Sequence, residues 1–261
     1  MPDAVDPAFA RLLDAIGDPR AAPDLAWVAA LTGASPRAVR AAMAELIAFA
    51  PMERQLRATL AGGGRDYYAQ IRAPMELYAL TRLVRPGHVV EVGVSSGVSS
   101  AHFLLGLRQN REGSLHSIDL PMRQRGVRLA DGESEVSLPP RRSSGWAVPP
   151  DLRGGWDLNL GPSQRLLPEL VARIPRIDLF LHDDLHTPEH LAFELRTIAP
   201  RLRPGSVVLA DNTEWTGSAF PEFAERIGAT VLAKGDSDLL GLRVPLRPPP
   251  AARPGRAPGA R

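Results

Sequence analysis

Two apolar runs in the second half of the chain each end in a cluster of reactive side chains. Ile177 to His182 leads into Asp183-Asp184-Leu185-His186, and Ser206 to Ala210 leads into Asp211-Asn212. Carboxylate, carboxamide and imidazole groups at the carboxyl ends of buried strands are where an open parallel sheet places its chemistry. The bland alternative is a helix cap, because Thr187-Pro188 follows at once and Asp183 or Asp184 could serve that helix's start. His186 to His190 also reads H-x-x-E-H, a zinc pattern that needs both histidines on one helix. Pro188 belongs in the first helical turn and leaves His186 outside it, which argues against zinc there.

A third place for chemistry lies earlier, in His88 to Asp119, which reads as strand, glycine turn, helix, strand. Valine-rich His88 to Val94 is bounded by Pro86-Gly87 and by a Gly/Ser cluster holding Gly93 and Gly97. Phe103, Leu104 and Leu107 then follow at helical spacing, and Leu115 to Ile118 closes on Asp119. Such a unit builds a nucleotide site, in which backbone N–H groups face an anionic or polar ligand and the later acid takes ribose hydroxyls. The dinucleotide fingerprint is absent, since Ser95 stands where its second glycine belongs. Glu91, two residues before Gly93, suits a cationic aminoacyl group better than a pyrophosphate. The pattern E-x-G-x-x-x-G with a downstream acid points to S-adenosylmethionine rather than NAD.

Composition narrows the class. The 261 residues, 44% of them hydrophobic, suffice for one α/β domain with a small addition. There is no cysteine, which excludes disulfides, thiolate zinc sites and thiol catalysis. Neither a signal peptide nor the roughly 18 apolar residues of a membrane span can be found, so a cytoplasmic location is expected. The sequence pI of 9.5 suggests nucleic acid, but Arg247, Arg253, Arg256 and Arg261 lie in an acid-free tail. Taking those four charges from the net +2 leaves −2, so the body of the chain is not basic and nucleic acid is not its expected partner.

The elements that must position these groups can be read in order. Residues 1–70 form a helical cap or dimerisation segment, with Phe9, Leu12, Leu13 and Ile16 on one helix face and Val39, Met43, Leu46 and Ile47 on another. Leu25 to Leu31 and Ser35 to Ile47, joined through Gly33, could alternatively be a helix-turn-helix offering Arg37 and Arg40 to DNA. Asp66 to Val84 reads as one or two helices broken near Pro74. Residues 71–245 hold the sheet: besides the strands above, Trp156 to Leu160, Ile177 to His182, Ser206 to Ala210, and a terminal hairpin of Thr230 to Ala233 with Leu239 to Val244. The expected fold is a Rossmann-like, mostly parallel seven-stranded α/β sheet ending in an antiparallel hairpin. Periodicity disappears over 121–150, an excursion that either closes over the cofactor or is a disordered surface loop. Residues 246–261 read as a disordered Pro/Arg-rich tail. Trp146, Trp156 and Trp215 either line an aromatic pocket or pack in the core.

From about Arg72 to Val244 the sequence resembles the class I S-adenosylmethionine-dependent methyltransferases, of the catechol O-methyltransferase type and the related bacterial small-molecule enzymes. EVGVSSGVS matches the first motif, and the resemblance implies that Glu91, Gly93, Ser95, Gly97 and Ser99 meet the cofactor. Asp119 matches the ribose acid, and LGPSQ matches the adenine-side motif through Ser163 and Gln164. DLFLHDD with VVLADN matches the metal motif, implying Asp183, Asp211 and Asn212 as ligands of Mg²⁺ or another divalent cation, with Asp183 at both metal and cofactor. His186 stands where relatives carry a Lys or His that acts as base. The implied activity is O-methylation of a small phenolic or secondary-metabolite hydroxyl by a homodimer. A metal-independent N- or O-methyltransferase, and a DNA-binding regulator with a degenerate core, are the alternatives. The amino-terminal helices and the excursion match nothing in catechol O-methyltransferase, so the acceptor does not carry over.

Overall fold

The computed structural model describes residues 23–62, 73–120, 138–139, 142–235 and 237–246. The expected helix over Phe9 to Ile16, residues 63–72, most of the 121–141 stretch and the tail beyond Leu246 lie outside the described residues. The chain builds a seven-stranded sheet in the order β3-β2-β1-β4-β5-β7-β6. Its strands are β1 (His88–Val92), β2 (Ser114–Asp119), β3 (Trp156–Leu160), β4 (Ile177–His182), β5 (Leu202–Ala210), β6 (Val231–Ala233) and β7 (Leu240–Arg243). The first five are mutually parallel, and β7 runs antiparallel to both β5 and β6. This is the Rossmann-like sheet with a terminal hairpin that the sequence implied.

Strand alternation divides the core into two layers. Val89, Leu179, Leu181, Val207 and Leu209 face one apolar cluster, which includes residues of α1 (Leu25–Thr32), α2 (Pro36–Ala44), α3 (Ala50–Ala61), α4 (Pro74–Val84) and α5 (Val98–Asn110). Their neighbours Val90, Val92, Phe180, Val208 and Ala210 face the other, with α6 (Ser163–Arg173), α7 (Pro188–Ile198) and α8 (Ala219–Ile227). Strands buried on both faces must be apolar almost throughout, which is why they read as unbroken valine and leucine runs. Helix α3 begins at Ala50-Pro51 after a 3₁₀ turn (Glu45–Phe49), a break that the periodicity of Val39 to Ile47 does not announce.

The amino-terminal helices share the main core. Trp27, Val28 and Leu31 of α1 are buried, and the Trp27 indole N–H donates to the Leu232 carbonyl of β6 at 2.9 Å. Gly241 of β7 leaves the room that α1 occupies: a Cβ there would lie 3.0 Å from both Leu31 and Trp27. Buried polar contacts tie the other helices down, with His102 Nε2 of α5 2.7 Å from Glu53 Oε1 of α3, and the Tyr78 hydroxyl donating to Glu45 at 2.7 Å. Among the described residues no helix is long and apolar enough to cross a membrane. Trp27→Ala removes both the packing and the bond to β6, and is expected to cost about 3–5 kcal/mol of stability, read from the urea unfolding midpoint.

Candidate functional site

Everything at the carboxyl edge of the sheet is arranged around Gly93. Its φ is +89°, and a Cβ placed on it would lie 1.8 Å from the Asp183 carbonyl oxygen, so only glycine lets the end of β1 meet the end of β4. The Asp183 N–H donates to the Val92 carbonyl at 2.8 Å, and the Gly93 N–H to the Ile118 carbonyl at 2.9 Å. The turn continues through Ser95, also in the left-handed region at φ 45°, which is the conformation a glycine would supply at that position. Gly97 precedes α5, and a Cβ on it would stand 2.5 Å from Val148. Asp119, at the end of β2, accepts from the Val94 N–H at 2.9 Å and the Ser95 N–H at 3.4 Å.

Glu91 sits behind this turn and has no exposed surface. Ser99, Ser100 and Ser117 donate to its two oxygens at 2.5, 2.7 and 2.6 Å. Burial pushes its pKa up to about 7, against three hydroxyl donors that favour the charged form. Glu91 and Ser99 are therefore locked to one another beneath the start of α5.

The described part of the excursion lies across the turn. The Gly145 and Ala147 N–H groups donate to the Ser95 and Ser96 carbonyls at 2.8 and 3.0 Å, and the Ser144 hydroxyl donates to Asp119 Oδ2. Residues 144–149 are buried, with Arg153 bonded to the Gly145 and Val148 carbonyls and Arg142 stacked over Trp146. Trp146 and Val148 anchor the segment in the main apolar cluster. Nothing in the pattern singled out Ser144 as the side chain that reaches Asp119.

Strand register brings the second set of groups together. His182 of β4 pairs with Ala210 of β5, so Asp183 and Asp211 leave the sheet side by side. Burial raises the pKa of both carboxyls, and their mutual repulsion adds to it at Asp211, which is pushed up to about 7. Asn212 follows in the left-handed conformation at φ 49°. His186 is 4% exposed, with Nε2 3.7 Å from Asp183 Oδ1 and its ring edge-on to Trp215 at 6.1 Å between centroids. Trp215 is 40% exposed and Leu160 51%, apolar surface at the same edge as the glycine turn.

A third group, which the sequence reading did not assemble, lies on the α7 side of β4. His182 Nδ1 is 2.8 Å from Glu194 Oε2 and 3.2 Å from Asp184 Oδ1, and His190 Nε2 is 3.0 Å from Asp184 Oδ2 and 3.3 Å from Glu194 Oε1. Ser163 donates to Asp184 at 3.1 Å and lies 3.1 Å from His190 Nε2, while Gln164 Nε2 is 3.1 Å from His190 Nδ1. Burial opposes charge on both imidazoles, but the two carboxylates outweigh it and hold His182 and His190 at about 10. Against the same cost of burial, the histidines keep Asp184 far below the usual carboxylate range. The retrievable signal was His190 and Glu194 one helical turn apart on α7. Helix α7 starts at Pro188, so His186 lies outside it, as the argument against H-x-x-E-H zinc required.

Residues 90–213 match the family model described as a methyltransferase domain. Among solved structures, the SAH-bound Podospora anserina methyltransferase PaMTH1 superposes with a TM-score of 0.50 at 15% identity, covering 74% of this chain and 87% of that one. The O-methyltransferase from Bacillus cereus in complex with SAH also gives 0.50, at 17% identity over 74% and 90%. No curated protein matches the chain. The matched stretch runs from β1 past the end of β5, so the glycine turn, Asp119, Asp183, Asp211 and Asn212 all lie within the part of the chain that matches a methyltransferase domain.

Two outcomes follow from this geometry. Gly93→Ala sets a side chain against the Asp183 backbone in a left-handed conformation and is expected to cost more than about 2 kcal/mol in urea unfolding; an unchanged midpoint would mean that the strand ends do not meet there. His182 and His190 bind their protons more tightly folded than unfolded. Their stabilisation is therefore complete below about pH 6.5, declines above it, and is lost as pH passes through about 10. In EDTA the unfolding free energy should fall between pH 7 and 10, and His190→Gln should flatten that fall.

Proposed function

We propose that this chain transfers the methyl group of S-adenosylmethionine to a hydroxyl oxygen of a small molecule, with a phenolic or secondary-metabolite acceptor. One observation carries the reading: the Gly93 contact fixes the cofactor turn directly against the strand end that bears Asp183, with Asp211 and His186 beside it. The sulfonium is already an activated donor, so the protein has mainly to align donor and acceptor and to remove a proton. The acceptor oxygen forms its bond to the methyl carbon as the carbon–sulfur bond breaks, and the electron pair stays on sulfur as the thioether of S-adenosylhomocysteine.

Each residue has a place in that step. Asp119 holds the ribose hydroxyls, the N–H groups of the glycine turn face the amino-acid end, and Ser163 and Gln164 border the adenine side. His186 takes the hydroxyl proton, and the Asp183 carboxylate 3.7 Å away stabilises the imidazolium that forms. Trp215 and Leu160 offer the exposed apolar surface on which an aromatic acceptor can rest. Two half-buried carboxyls, with the charge of Asp183 raising the pKa of Asp211, fit a divalent cation, and Asp183, Asp211 and Asn212 supply the hard oxygen ligands that suit Mg²⁺. Bound there, Mg²⁺ would lower the pKa of the acceptor hydroxyl. The two structurally similar methyltransferases bound to SAH support the cofactor. A cytoplasmic homodimer completes the proposal.

Calorimetric titration with S-adenosylmethionine in magnesium buffer should give micromolar binding, weakened about tenfold or more by Asp119→Ala. No binding by the wild type would overturn the reading. With phenolic acceptors, His186→Ala and Asp211→Asn should each lower kcat by about 100-fold while leaving cofactor affinity near wild type. EDTA should abolish turnover, and turnover that survives it would remove the metal and leave His186 acting alone.

A further inference from the structure

Three consecutive residues at the end of β4 serve different surroundings. Asp183 leans toward Asp211 and His186, whereas His182 and Asp184 join His190 and Glu194 on the α7 side. On that side the two imidazoles and two carboxylates alternate in a closed ring whose four nitrogen–oxygen separations run from 2.8 to 3.3 Å. One ligand atom from each of His182, Asp184 and Glu194 lies within 4.8 Å of the others. His182 and Glu194 have no exposed surface and His190 is 6% exposed. Two oxygens of the ring, Asp184 Oδ1 and Glu194 Oε1, are buried and meet the imidazoles at 3.2 and 3.3 Å without hydrogen-bond geometry, so the ring is held less tightly there than at its other two contacts.

The spacing discriminates between cations. A tetrahedral Zn²⁺ site with bonds of about 2.0–2.1 Å to nitrogen and oxygen separates its ligand atoms by about 3.3 Å. The four nitrogen–oxygen contacts of the ring are already close to that, and the site closes when the His190 imidazole swings inward to join the set of His182, Asp184 and Glu194. Ca²⁺ takes oxygen ligands at about 2.3–2.6 Å in a larger shell, and Mg²⁺ also prefers oxygen and retains water. Two imidazole nitrogens with two carboxylates favour zinc on donor type, and the two negative charges balance the dication. We propose that His182, Asp184, His190 and Glu194 form a closed, four-ligand Zn²⁺ site, separate from Asp183, Asp211 and Asn212. Gln164 lies against the second ring nitrogen of His190, and with its amide oxygen turned toward that N–H it would orient a metal-bound imidazole. Because it joins the end of β4, the start of α7 and, through Ser163 and Gln164, the first turn of α6, the ion is a structural clamp on one wall of the cofactor site.

The test uses the full chain stripped with EDTA, dialysed, and titrated with Zn²⁺ in excess Mg²⁺. One Zn²⁺ per chain should bind with sub-micromolar Kd. His190→Ala and Glu194→Gln should weaken it by more than about 100-fold, beyond the cost of losing an outer-sphere partner. Asp211→Asn should leave it unchanged, which separates this site from the proposed Mg²⁺ ligands. Co²⁺ in the wild-type chain should give the intense visible absorption of a four-coordinate ion; a pale six-coordinate spectrum overturns the proposal even if a variant fails to fold. Absence of Zn²⁺ binding, equal binding by folded His190→Ala, or loss of binding in Asp211→Asn also overturns it. The four side chains would then be a proton-filled ion-pair ring.

Discussion

The approach of two strand ends at Gly93 is the constraint on which the site depends. With no side chain at that position, the backbone of β1 turns directly against the carbonyl of Asp183. That contact sets the depth at which β4 ends, and the register of β4 with β5 then sets Asp211 beside Asp183. It also frees the Val94 and Ser95 N–H groups to bond Asp119, so the acid at the end of β2 is held by the turn it works with. One missing methyl group thereby aligns groups contributed by four strands and turns.

Strand alternation supplies the other half of the arrangement. Phe180 and His182 point to the α7 side and Leu179 and Leu181 to the α5 side, while Asp183 leaves the sheet at its edge. A polar ring and a carboxylate pair can therefore be only one residue apart and still occupy different environments. In one, imidazoles and carboxylates compensate each other; in the other, burial and the charge of Asp183 raise the proton affinity of Asp211. Opposite electrostatics within three residues require a backbone that does not slip, and the hydrogen bonds from Asp183 to Val92 and from Asp211 to His182 provide it.

Much of this was legible in the residues. Valine runs bounded by Pro-Gly marked β1, β4 and β5, because doubly buried strands tolerate little else. Gly93 and Gly97 announced a tight turn after β1, and Asp119 an acid at the end of the neighbouring strand. What stayed hidden depends on contacts far apart in sequence. Ser144 meets Asp119 across 25 residues of unpatterned chain. Glu194 is one of several polar residues of α7, and only the packing of that helix turns it toward His182. Helix α3 was masked by the 3₁₀ break after α2, which shifts the helical phase that periodicity relies on.

The docking of α1 on the hairpin also concerns molecules other than this one. Strand β6 is one of the two edges of the sheet and only three residues long, and open strand edges recruit other chains through unpaired backbone groups. Trp27 caps one of those carbonyls with its indole N–H and lays an apolar helix along the rim. The amino-terminal helices thus act as a guard against edge-to-edge association, and a chain that has shed them would be adhesive as well as less stable.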